Sequence, residues 1–132
     1  MIIDTSAIVA VLRGEPDAER FESALAGARD PRLSVGTYLE SAVVVDMNGD
    51  PVLSARFDSL LETIGAVLEP VTAEQATIAR RAYRDYGKGS GHPAQLNFGD
   101  CFAYALARAR REPLLFKGGD FSQTDIEPAL ED

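Results

Sequence analysis

The chain has 132 residues, of which 45% are apolar and 26% charged, and its formal net charge is −8. Those values fit one water-soluble domain over residues 1–132 with a sizeable core, and they exclude a uniformly basic nucleic-acid coat. The lone cysteine, Cys101, excludes an intramolecular disulfide and a paired-cysteine zinc site, and no apolar run approaches the ~18 residues of a membrane span.

The N-terminal "MII" reads as a short buried strand that runs directly into Asp4, and Ser6 to Leu12 reads as helix. Asp17 to Arg29 aligns Ala18, Phe21, Leu25 and Ala28 on one helical face. "RLSV" is a second strand. A helix over Thr37 to Met47 follows, with Leu39, Val43 and Met47 in line, and Thr37 with Glu40 fits a capping box. "NGDP" ends that helix, and Asp50-Pro51 opens the next, which aligns Leu53, Phe57, Leu60, Leu61 and Ile64.

"AVLEPV" is a third strand, and Thr72 with Gln75 opens a helix that runs to Tyr86. The glycine-rich "GKGSGHPAQL" is a loop without the spacing of a Walker phosphate loop. Asn97 to Arg110 is helical, with Asp100 in its first turn. "EPLLFK" is the fourth strand, and "GGDFSQTDI" is a loop with room for one short element. No segment resembles a signal peptide, so a reducing cytoplasm is expected.

Short apolar strands that alternate with helices, with no hairpin signal between them, predict a parallel sheet covered on both faces. In such sheets the functional crevice lies at the carboxyl ends of the strands. Asp4, Glu40, Asp100 and Asp120 all fall just after predicted strands or in the first turn of a helix that starts nearby. Each has a simple alternative role as a cap or turn residue. Gathered at one edge they repel, by ~4 kcal/mol for two charges 4 Å apart at an effective dielectric of 20. Mg²⁺ or Mn²⁺ relieves that repulsion, and an all-oxygen ligand set disfavours zinc. Metal-assisted phosphodiester hydrolysis is the matching chemistry.

The segments "MIIDTSA", "YLE", "NFGDCFAYALA" and "PLLFKGGDF" resemble the four acidic motifs of PIN-domain nucleases, and most of all those of VapC toxins from VapBC toxin–antitoxin pairs. The resemblance runs from Met1 to about Ile126. It implies a three-layer α/β/α sandwich with a short, mainly parallel sheet, and a Mg²⁺- or Mn²⁺-dependent endoribonuclease. Its implied partners are RNA, a cognate VapB antitoxin that inhibits it, and a second copy in a homodimer. It implies Asp4 and Asp100 as metal ligands, Glu40 and Asp120 as supporting acids, and Ser6, with Thr5, as hydroxyls beside the first Asp. In-line attack by an activated water would leave a 5′-phosphate. The family often carries Thr or Asn where this chain has Lys117-Gly-Gly, so Asp125 competes with Asp120 for the fourth place and Lys117 is free to meet a phosphate.

Lys88 and the cluster Arg80, Arg81 and Arg84 are further candidates for contact with an RNA backbone. His92, the only histidine, has no identifiable partner. Three alternatives stay open. They are a receiver-like phospho-acceptor module, a haloacid-dehalogenase-type phosphatase, and a PIN-like protein that binds RNA or a partner without cutting.

Overall fold

The computed structural model describes residues 1–131, so Asp132, the last residue of the expected domain, lies outside the described residues. The elements in chain order are β1 (Ile2–Ile3), α1 (Thr5–Leu12), α2 (Ala18–Gly27), β2 (Arg32–Ser34), α3 (Val35–Asp46) and α4 (Pro51–Ile64). They continue with β3 (Val67–Glu69), α5 (Ala73–Tyr86), α6 (Phe98–Arg110) and β4 (Leu114–Leu115), followed by a 3₁₀ turn at Phe121–Gln123.

The strands form one sheet in the order β3-β2-β1-β4, and every pairing is parallel. Alternate residues of each strand point to opposite faces, and the two cores follow from that. Ile3, Leu33 and Leu115 join residues of α1 to α4 on one face. Ile2 and Leu114 join residues of α5 and α6 on the other. Both faces are therefore covered, which is why these strands are apolar throughout. The three-layer sandwich expected from the sequence is the fold observed.

The chain moves from β1 to β2 to β3 in one direction, whereas β4 lies on the other side of β1. The switch point therefore falls between β1 and β4, where ligands bind in open parallel sheets. A receiver fold sets its first and third strands side by side. Here β3 is at the edge, two places from β1, which rules that architecture out.

Caps explain most helix starts. Asp50 accepts from the Val52 amide at 2.9 Å with Pro51 behind it, and Thr72 accepts from the Gln75 amide at 3.1 Å. Each such cap stabilises by about 1 kcal/mol. One expectation fails at α3, the cap, and the facing of its apolar row is new. Its cap is Ser34, which accepts from Gly36, and not Thr37. Its apolar row also faces outward, with Leu39 63% and Met47 81% exposed, whereas the buried residues are Thr37, Ser41 and Val45. Ser41 is satisfied on that buried face, where it donates its hydroxyl to the Thr37 carbonyl at 2.8 Å, whereas the Thr37 hydroxyl is buried without a partner. Among the described residues no helix is long and apolar enough to cross a membrane.

Candidate active site

Asp4 leaves β1 and caps α1. Its Oδ2 accepts from the Ser6 amide at 3.0 Å and from the Ser6 hydroxyl at 2.6 Å. Its amide donates to the Leu115 carbonyl at 3.0 Å, which stitches the ends of β1 and β4 together. The capping role weighed for Asp4 is therefore real, but it occupies one oxygen only. Oδ1 is buried with no hydrogen-bond partner. Burial pushes the carboxyl up to about 7 against the Ser6 bonds, and the charges of Asp100 and Glu40 add to the rise.

Asp100 also does two things. Asn97 and Asp100 form a complete capping box at the start of α6, with bonds of 2.8 and 2.9 Å. The same carboxyl is pushed up to about 6, first by burial and then by the charges of Glu40 and Asp120, while the charge of Lys88 opposes the rise. Glu40 does not reach back to the Thr37 backbone. Its Oε1 accepts from the Thr5 hydroxyl at 2.6 Å, and that hydroxyl lies 2.9 Å from the Ser41 hydroxyl. Its carboxylate rests against Gly99, where any side-chain carbon would fall 1.6 Å from Oε2.

These residues line one cavity of about 310 Å³: Asp4, Thr5, Ser6, Glu40, Asn97, Asp100, Lys117 and Asp120, with Val9, Val44 and Phe121 as its apolar wall. Asp4 follows β1 and Asp120 follows β4, so the cavity opens at the switch point. Asp125 lies elsewhere. It accepts from the Tyr104 hydroxyl at 2.6 Å and pairs with Arg108, which leaves Asp120 as the fourth acid of the cavity.

Among the described residues, no three His, Cys, Asp or Glu side chains stand close enough to form a ready-made ligand cage. The acids share a pocket without meeting at a point. The donor set still fits a hard divalent ion. Asp4 Oδ1 is buried and unpartnered, every acid donor is an oxygen, and Mg²⁺ is commonly held by one or two carboxylates with water in its remaining places.

Lys117 is not free. Its Nζ lies 2.8 Å from Glu15 Oε2 and 2.9 Å from Asp17 Oδ1, and its amide donates to the Ser6 hydroxyl at 2.9 Å. His92 accepts from the Ala94 amide and packs edge-on against Tyr86, a structural role. Burial pushes the Cys101 thiol up to about 11, so it is no nucleophile at neutral pH. A larger groove of about 520 Å³ between α5 and α6 contains Arg80 and Arg84 but no carboxylate.

Sequence reasoning missed Gly99 and Ser41. The glycine carries a faint signal, as an unneeded break inside the first turn of a strongly periodic helix. Ser41 carries none, because a hydroxyl one residue after an acid has no distinctive pattern.

The PIN domain family model matches residues 1–127. Ribonuclease VapC28 of Mycobacterium tuberculosis (strain ATCC 25618 / H37Rv) is 56% identical over 131 residues, which cover 99% of this chain and 98% of that protein. Ribonuclease VapC42 of the same strain is 49% identical over 129 residues, covering 98% of each. Among solved structures, M. tuberculosis VapC20, described as a Sarcin-Ricin loop cleaving toxin, superposes with a TM-score of 0.74 at 16% identity over 95% of each chain. A toxin–antitoxin complex from Klebsiella pneumoniae gives 0.68 at 18% identity, over 92% of this chain and 89% of that one. At such identities the structural likeness concerns the fold alone, but the full-length matches in sequence carry more. Together with them, the acidic pocket at the β1/β4 switch point identifies the chain as a member of the PIN domain family, on its VapC branch.

Proposed function

We propose that the chain is a Mg²⁺- or Mn²⁺-dependent endoribonuclease, the toxin of a type II toxin–antitoxin pair, acting in the cytoplasm as a single PIN-like domain. The observation that carries this reading is the shared pocket. Four acids from four distant segments line it, and one of them keeps a buried oxygen without a partner.

In this reading Asp4 and Asp100 hold the metal. Ser6 keeps Asp4 Oδ2 occupied, so Oδ1 would be the oxygen left to hold the ion. Glu40, steadied by Thr5, and Asp120 complete the acidic wall and would accept hydrogen bonds from water in the pocket. When bound, the divalent ion lowers the pKa of water and offsets charge on the scissile phosphate. Val9, Val44 and Phe121 limit water on one side. Unpaired RNA, whose phosphates are accessible and whose bases are unstacked, is the matching substrate.

A net charge of −8 favours a basic inhibitor, which supports a VapB-type antitoxin as partner. The outward apolar row on α3 supports a second copy of the chain as the other partner. The test is incubation of purified chain with single-stranded RNA, with Mg²⁺, with Mn²⁺ and with chelator. Cleavage that needs the metal and disappears in Asp4→Asn and Asp100→Asn is expected. RNA left intact by the native chain under every metal condition would overturn the reading.

A further inference from the structure

Lys117 stands at the wall of the acid pocket, yet its charge is spent elsewhere. Its amide reaches Ser6 Oγ at 2.9 Å, and Ser6 Oγ reaches Asp4 Oδ2 at 2.6 Å, so its backbone is one hydroxyl away from the first acid. Its ammonium points instead to the α1–α2 turn and is shared by Glu15 and Asp17 at 2.8 and 2.9 Å. A lysine stem is long and flexible, and four acids line the same pocket. A released ammonium would therefore move toward them as an internal counter-ion.

We infer that Glu15 and Asp17 are positioning residues that restrain Lys117, keeping its ammonium out of the acid pocket so that it does not compete there with the divalent cation. This rests on the metal-site reading above. The restraint also gives the two lines of the pocket separate tasks. The Lys117 amide holds the Ser6 hydroxyl in place as a donor to Asp4, because an N–H can only donate and the hydroxyl proton is then directed to the carboxylate. The Lys117 side chain is meanwhile tied back.

The experiment is a mutant cycle on direct Mn²⁺ binding, read by titration calorimetry on the full chain without RNA. Simple loss of two negative charges weakens Mn²⁺ binding whatever Lys117 does, so the decisive variant is Lys117→Met. Under restraint, K117M changes the Mn²⁺ Kd by less than about twofold in the native background, and tightens it by about fivefold or more in the E15Q/D17N background. Equal effects in both backgrounds would show that Lys117 acts only as a distant charge and would overturn the inference, while leaving the metal site standing. An unchanged Kd in E15Q/D17N would overturn it as well. Absence of Mn²⁺ binding in the native chain would overturn the metal-site reading, and this inference with it. If E15Q/D17N does not fold, E15A/D17S, which also removes both carboxylates, serves as the second background.

Discussion

Glu40 rests in the one place on the first turn of α6 where there is no side chain: a carbon on Gly99 would lie 1.6 Å from its Oε2. The second acid of the pocket is therefore positioned by a glycine on another helix. Gly99→Ala must push Glu40 aside or shift α6, and overpacking of this kind costs about 1–3 kcal/mol. The expected result is a thermal midpoint several degrees lower, with cleavage lost beyond what the folded fraction explains. Gly36→Ala is the control. Its added carbon would meet the Phe102 ring at 2.5 Å, so it should lower the midpoint while touching no acid.

Asp4 gives the metal-free protein an unusual pH dependence. Its carboxyl is raised from 3.8 to about 7, so between those values the folded state binds the proton that the unfolded state has lost. Stability therefore rises as pH falls through this window, by up to about 4 kcal/mol from this one group. The thermal midpoint of metal-free chain should climb from about pH 8 to about pH 5. Asp4→Asn, which keeps the cap, should shrink the rise to the part that Asp100, raised to about 6, still supplies. A native curve that falls across the same range, parallel to that of Asp4→Asn, would refute the assignment.

Added Mg²⁺ should stabilise the folded chain where the proton no longer does. On the proposed metal site it should bind the ionised acids of the folded chain and raise the midpoint at neutral pH, by the linkage of ligand to stability. The rise should be absent in Asp100→Asn. Thermal scans over a Mg²⁺ series check both statements.

Ser6→Ala leaves the Lys117 amide without its acceptor and Asp4 Oδ2 without one of its two donors. Loss of such partners costs about 1–3 kcal/mol. The expected outcome is a modestly destabilised chain with weaker Mn²⁺ binding, whereas Ser6→Thr, which keeps the hydroxyl, should recover much of both.

The apolar row on α3 leads to a prediction about assembly. Leu39 and Val43 are 63% and 51% exposed and lie on the same face of α3 as Met47. Leu39→Glu with Val43→Glu should convert a dimer to a monomer in light scattering, with the far-UV spectrum unchanged. A native chain that is monomeric at high concentration would remove the proposed homodimer.

Most of the fold was legible because the strands and helices carry strong local signals. The apolar dipeptides at Ile2–Ile3 and Leu114–Leu115 show burial on both faces, and the caps at Asp50, Thr72 and Asn97 mark helix starts through their own hydrogen-bond chemistry. The outward turn of the α3 row was not legible, for an equally clear reason. Periodicity shows which residues share a face but not which way that face turns, and a row of Leu39, Val43 and Met47 looks like core until Ser41 and Thr37 are seen buried beneath it.

The sequence by itself determined the alternation of elements and the parallel sheet, and it marked Asp4, Glu40 and Asp100 as acids beside strand ends or helix starts, because each follows from local patterns of polarity and spacing. Only the tertiary structure decided the strand order, and with it that the ends of β1 and β4 are neighbours. It also decided that Asp120 and not Asp125 reaches the pocket, that Gly99 makes room for Glu40, and that Lys117 is held by Glu15 and Asp17. Those contacts join residues up to about a hundred positions apart. Nothing in the local chain encodes them, because they exist only once the sheet has brought the two ends of the sequence together.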